Sequence, residues 1–195
     1  KCYNISMKLK RCTLIILFAF FIMPVFATHP ISISGDASID INAEKVNGNF
    51  AIGKASAFVV KMGVDLNRVY NVYGEVATYT SGVDVNKATF VDVSGRKGYM
   101  FGIGGSVALV GGMSLSLSGG LFIANENRSV DVYETGVYIS GRFKYLLFNP
   151  TPNYPSLFYS ISVPVTLLYS GFGYHLRLGI ALGLEHNYYG RRYNK

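Results

Sequence analysis

From Phe172 to Tyr188 the chain alternates with a period of two. The even positions are Phe172, Tyr174, Leu176, Leu178, Ile180, Leu182, Leu184, His186 and Tyr188. The odd positions are Gly173, His175, Arg177, Gly179, Ala181, Gly183, Glu185 and Asn187. Period two predicts a β-strand, because successive side chains point to opposite faces. One face is apolar and bounded by aromatics, and the other mixes small residues with charges. A strand that faces lipid on one side and a narrow polar lumen on the other reads this way, with aromatics at the two membrane interfaces.

The same alternation runs through the rest of the chain. Ile31–Glu44 sets Ile31, Ile33, Ile39 and Ile41 against Ser32, Asp36, Asp40 and Asn42, and Asn47-Gly48 follows as a two-residue hairpin signal. Phe50–Leu66 and Val69–Thr80 are joined by a turn near Asn67-Arg68. Lys54 falls on the apolar side of its strand, and both a snorkelling side chain near the rim and a bulge at Gly53 fit that position. Ser81–Lys97 is the longest interruption. It holds two short alternating fragments, which reads as a hairpin above the membrane.

Tyr99–Leu109 and Met113–Ile123 meet at Val110-Gly111-Gly112. Their polar faces are built from Gly102, Gly104, Ser106, Ser114, Ser116, Ser118 and Gly120. A water-facing surface has no need of side chains this small, whereas a closed barrel of about eight strands leaves room for little else. Asp131–Leu147 and Leu157–Tyr169 flank a segment, Asn149–Ser156, that holds three prolines. Pro164 interrupts the latter strand, where it removes a ladder donor. Ser170-Gly171 reads as a tight turn into the last strand. The expected architecture is all-β: a membrane-spanning antiparallel up-and-down β-barrel of about eight strands, with both chain ends on one side.

Residues 7–27 have the form of a secretory signal peptide. Met7 is the expected start, which places residues 1–6 ahead of the translated protein. Lys8, Lys10 and Arg11 form a basic region, Thr13–Phe26 an apolar one, and Val25-Phe26-Ala27 a small-residue cleavage site. The apolar run is shorter than the roughly 18 residues of a membrane anchor. The expected division is a leader at 1–27 and a barrel domain at 28–195. Both cysteines, Cys2 and Cys12, fall in the leader, so the mature chain is expected to carry no disulfide. Four of the seven net positive charges also fall there, which leaves +3 on a mature chain that shows no basic cluster fit for nucleic acid.

With these strands in place, the chain resembles the small eight-stranded outer-membrane barrels of the OmpA/OmpX and opacity-protein type, over about residues 31–189. The resemblance rests on pattern. It includes a last strand, with Leu178, Ile180, Leu182, Leu184 and Tyr188 alternating, of the kind that barrel-assembly machinery recognises. It departs from that group at Tyr189–Lys195, which follow the closing aromatic. It implies the outer membrane of a Gram-negative cell, contact with outer-membrane lipid and lipopolysaccharide, and exposure at the cell surface.

Charged residues on the polar faces invite a catalytic reading. His175 as base with Ser160 or Ser162 as nucleophile would make a lipid-modifying barrel enzyme. The favoured reading is structural: Lys61, Glu75, Glu134, Arg142, Lys144, Arg177 and Glu185 form a charge network filling the lumen, because charges buried there must pair. If Asn67–Val69 form the loop, Lys61 lies directly opposite Glu75; a loop one residue earlier sets Lys61 against Tyr73. No catalytic, cofactor-binding or metal-ligating residue is assigned, and no cofactor is expected. The strand count makes a porin-like wide diffusion pore unfavourable. The expected function is a non-enzymatic surface barrel whose loops, above all 81–97, contact a host, another cell or the envelope. The alternative is a soluble exported lipid-binding barrel, lipocalin-like, with its apolar faces inside.

Overall fold

The computed structural model describes residues 30–46, 49–83, 96–126, 132–148, 157–171 and 173–186. The leader at 1–27, the Asn47-Gly48 turn, Asn149–Ser156, Tyr188 and the basic tail lie outside these residues. Eight strands follow in order: β1 Ile31–Val46, β2 Asn49–Asp65, β3 Tyr70–Val83, β4 Arg96–Ala108, β5 Met113–Glu126, β6 Val132–Leu146, β7 Leu157–Ser170 and β8 Gly173–His186. Each pairs antiparallel with the next, and β8 closes on β1. Following paired residues once round from Ile31, through Val64, Val72, Gly105, Leu117, Gly141, Val165 and Leu178, returns to β1 at Ile41, ten residues further on. With ordinary strand spacings that climb tilts the strands by about 40° from the barrel axis.

The turns at the end that holds Ile31 and His186 follow from local chemistry. Asn67 caps its own turn: its Oδ1 accepts from Val69 N at 2.7 Å and Tyr70 N at 2.8 Å. Between β4 and β5, a single 3₁₀ turn, Val110–Gly112, places Gly111 at φ 74° and Gly112 at φ 80°, which only glycine adopts freely. At the opposite end, here the loop end, β3 runs on to Val83 and β4 begins at Arg96. The interruption expected over 81–97 is therefore narrower, and Ser81 pairs with Arg96. The alternation fades there because Thr78, Thr80 and Lys97 make the outward face polar too, so hydrophobicity no longer marks the strand.

The facing decides what kind of barrel this is. Ile39 is 79% exposed, while the next residue, Asp40, is 5% exposed. The same contrast repeats along β7 and β8, where outward apolar residues alternate with buried Ser162, Thr166, His175 and Arg177. The apolar faces point outward all round, towards where lipid would lie, and the polar faces point in. The lipocalin-like alternative needs the opposite facing. Tyr70, Tyr145 and Tyr159 stand outward near the terminal end, and Tyr99, Tyr169 and Tyr174 near the loop end.

Two local questions resolve in the register. The β1–β2 ladder runs unbroken from Ile31↔Val64 to Val46↔Asn49. There is no bulge at Gly53, and Lys54 is an outward, exposed side chain. Pro164 pairs with Arg142 of β6, but the β7–β8 ladder skips Val163 and Pro164. A proline has no N–H to give to β8, so the ladder opens at that point and resumes in the same register.

The small residues of β4 serve packing. A Cβ on Gly98 would come within 2.7 Å of the Tyr79 ring, and one on Gly104 within 2.7 Å of the Tyr73 ring and 2.6 Å of the Leu117 carbonyl oxygen. The lumen-facing tyrosines thus lie over glycines. Gly104→Ala is expected to cost about 1–3 kcal/mol, because backbone and ring must both shift. Gly141→Ala meets nothing within 4 Å and is expected to be near neutral. Urea unfolding in detergent micelles, followed by circular dichroism, compares the two; equal losses would contradict the packing role.

Candidate functional site

The lumen holds the inward charges in layers. At the terminal end, Lys144 Nζ donates to Glu185 Oε2. Nearby, Asn71 Nδ2 donates to Ser32 Oγ at 2.6 Å and to Asp65 Oδ1 at 2.9 Å. This end forms a polar bowl of about 620 Å³, counting the part open to solvent, lined among others by Ser34, Lys61, Tyr73, Ser116, Arg142 and Lys144.

At the inner edge of the bowl, Lys61 lies directly opposite Glu75 across the β2–β3 ladder, and Lys61 Nζ is 3.6 Å from Glu75 Oε2. The other carboxylate oxygen, Oε1, accepts from Ser118 Oγ and Tyr138 Oη, both at 2.6 Å. The Lys61 ammonium also sits 4.4 Å from the centre of the Tyr73 ring. Arg142 on β6 donates to Asp36 on β1 across the lumen. Next comes an apolar plug in which Val59, Ala77, Tyr79, Met100, Phe122 and Leu168 pack together with Tyr138. Arg177 pairs with Asp40 beside that plug, its guanidinium carbon 5.2 Å from the Tyr79 ring centre.

At the loop end, Glu134 gathers three partners. Arg96 Nε lies 3.4 Å from Glu134 Oε2, His175 Nε2 lies 3.4 Å from Oε1, and Ser170 Oγ donates to the same Oε1. Arg96 also contacts His175, with Nδ1 at 3.0 Å.

All seven residues singled out in the sequence point into the lumen, where each has an oppositely charged neighbour. Lys61 and Glu75 share a cluster, whereas Arg142 and Arg177 go to aspartates. Asp36, Asp40, Arg96 and Tyr138 were missed as partners. Asp36 and Asp40 stand on the polar face of β1, four residues apart, and the closing strand places Gly183 and Gly179 directly across from them. A Cβ on either glycine would run into the aspartate carboxylate. Arg96 was hidden by its place in the expected loop. The catalytic pairing is not assembled. His175 pairs with Leu168 at the loop end of β7, while Ser160 and Ser162 pair with Gly183 and Ala181 further toward the terminal end. Among the described residues no group of three or more His, Cys, Asp or Glu could hold a metal ion.

The Lys61–Glu75 contact has a direct check. A double-mutant cycle on Lys61→Met and Glu75→Gln is expected to give a coupling of about 0.5–3 kcal/mol. Strictly additive losses would show that the two side chains do not interact.

No protein-family model matches the sequence, and neither does any curated protein. Solved structures do match. Ail, the attachment invasion locus protein of Yersinia pestis, superposes with a TM-score of 0.55 at 14% identity, over 81% of this chain and 99% of Ail. Ail in complex with the heparin analogue sucrose octasulfate gives 0.54 at 16% identity, over 80% of this chain and 98% of that one. Neisserial surface protein A gives 0.52 at 11% identity, over 81% and 97%. At these identities the likeness is one of fold, and the fold is that of the small eight-stranded outer-membrane β-barrels.

Proposed function

We propose that the chain is an outer-membrane barrel that acts through contacts made at its loop end, and neither by catalysis nor as a wide diffusion pore. The observation that carries this reading is the filled lumen. Asp36, Asp40, Glu75 and Glu134 are each held by a cationic partner, and an apolar cluster from β2 to β7 fills part of the lumen between the polar bowl and the loop end. Such a lumen spends its side chains on closure. What remains for recognition is the rim, where residues 84–95 connect β3 and β4. That segment, the centre of the expected contact loop, lies outside the described residues. Ail supports the reading by analogy of fold alone: its name is that of an attachment protein, and it has been crystallised with a heparin analogue. The leader at 1–27, the barrel domain at 28–195, insertion by the barrel-assembly machinery and contact with lipopolysaccharide belong to the same proposal.

The test replaces residues 84–95 by a short Gly-Ser linker and measures binding of expressing cells to host-cell monolayers and to immobilised heparin. The expected result is lost binding with the barrel intact, seen as retained heat-modifiable gel mobility. Unchanged binding would overturn the loop assignment. Recovery of the wild-type chain in the soluble periplasmic fraction without detergent would overturn the outer-membrane reading itself.

A further inference from the structure

The outward wall is mostly apolar, and most of its described polar side chains gather on one side near the loop end. On β2, β3 and β4, near the loop end, it carries Lys54, Ser56, Thr78, Thr80 and Lys97, all exposed. Among the residues whose side chains are described, Lys54 and Lys97 are the only outward lysines, and no carboxylate faces outward. The register brings them together. Thr80 pairs with Ser56 on one side and Lys97 on the other, and Lys54 pairs with Gly82. Ser56 Oγ and Thr80 Oγ1 are hydrogen-bonded at 2.7 Å. The two lysines are rooted two strands and two residues apart, roughly 12 Å. Among the described residues Gly82 leaves the space between them open, since a Cβ there would meet none of them within 4 Å.

Toward the terminal end, the same three strands continue outward as Phe58, Val76 and Phe101, each about half exposed. Tyr99, one pairing step from Thr78, marks the interface. A cationic, hydroxyl-lined notch therefore sits directly above an apolar wall. Its complement is an amphiphile with an anionic head and acyl chains, because a free anion would make no use of the wall below. We propose that Lys54 and Lys97 hold the phosphorylated headgroup of a membrane lipid against the outside of β2–β4. This rests on the outer-membrane reading and deepens it by giving the lipid contact a place. The ammonium groups supply the charge, the hydroxyls of Ser56 and Thr80 add hydrogen bonds, and Phe58, Val76 and Phe101 lie along the chains.

The experiment uses the full chain in detergent micelles. Native mass spectrometry titrates it with bis-phosphorylated lipid A and, separately, with dephosphorylated lipid A. The phosphorylated lipid is expected to bind on the order of tenfold tighter. Lys54→Gln/Lys97→Gln should remove that preference, and Lys54→Arg/Lys97→Arg should keep it. Millimolar inorganic phosphate should leave the lipid bound. The proposal is overturned by equal binding of the two lipids to the wild type, by an undiminished preference in the glutamine variant, by displacement with inorganic phosphate, or by a dimer that forms through this face in place of lipid binding. Heat-modifiable mobility is recorded for every variant. A folded barrel without lipid preference sinks the headgroup site alone, whereas a wild-type chain that is soluble without detergent sinks the outer-membrane reading.

Discussion

Replacing Arg177 by Met is expected to lower the stability of the folded barrel by about 3–5 kcal/mol, the range for a buried ion pair that loses one partner. Arg177 is 3% exposed and its partner Asp40 is 5% exposed. The pair lies against the apolar plug, where Tyr79 and Leu168 keep the local dielectric low, so Asp40 left alone would be a desolvated, uncompensated charge. Its room is made by Gly179 across the closing ladder, and no other described side chain donates to it. By contrast, the bowl end admits water, so losing Lys61 opposite Glu75 should cost less. Adding Asp40→Asn to Arg177→Met should recover most of the loss, since the lone charge is then gone. The chain has no tryptophan, so urea unfolding in micelles is followed by circular dichroism. A loss from Arg177→Met below about 1 kcal/mol, or no recovery in the double variant, would show that the pair is solvated and structurally idle.

The strands were legible because lipid outside and a narrow lumen inside impose opposite chemistry on alternate residues. Ile39 and Asp40 cannot exchange places without exposing a charge to lipid, and Ile180 cannot take the place of Ala181 without crowding the lumen. That constraint weakens at the loop end, where both faces turn polar. Thr78, Thr80 and Lys97 carry no apolar signal, so β3 reads as ending early and β4 as beginning late, and Arg96 was lost into a loop. Pairing partners were legible only between strands joined by a short turn. Lys61 meets Glu75 because the turn capped by Asn67 sets their register. Asp36 meets Arg142 across the lumen, from β1 to β6, and nothing local in either strand states that. Asp40 and Arg177 depend on how β8 closes on β1. The spacing of Asp36 and Asp40, matched by that of Gly183 and Gly179, encodes this closure, but it can be read only once the shear is known.

Ile180→Arg is the sharpest probe of that facing, and its expected cost is about 2–4 kcal/mol. Ile180 is 61% exposed on the outward face and pairs with Ile39, the most exposed isoleucine of β1. It lies mid-strand, far from either aromatic edge, so an arginine there could reach interfacial water only by bending along the wall. The β7–β8 ladder is already open beside it, at Val163 and Pro164, which leaves less backbone pairing to absorb a local distortion. The next residue, Ala181, points the other way. It is 1% exposed and stands between Ser38 and Ser162 in the lumen. Ala181→Ser adds a hydroxyl beside Ser162 Oγ, a buried donor that has no partner among the described residues. Its cost should stay within about 1 kcal/mol, because a new hydrogen bond offsets the tighter fit. Measured side by side in lipid vesicles, the two adjacent substitutions differ in little but the medium each side chain enters. Comparable losses would mean that Ile180 does not face lipid, and a larger loss for Ala181→Ser would mean that the lumen at this level is too tightly packed to accept a hydroxyl.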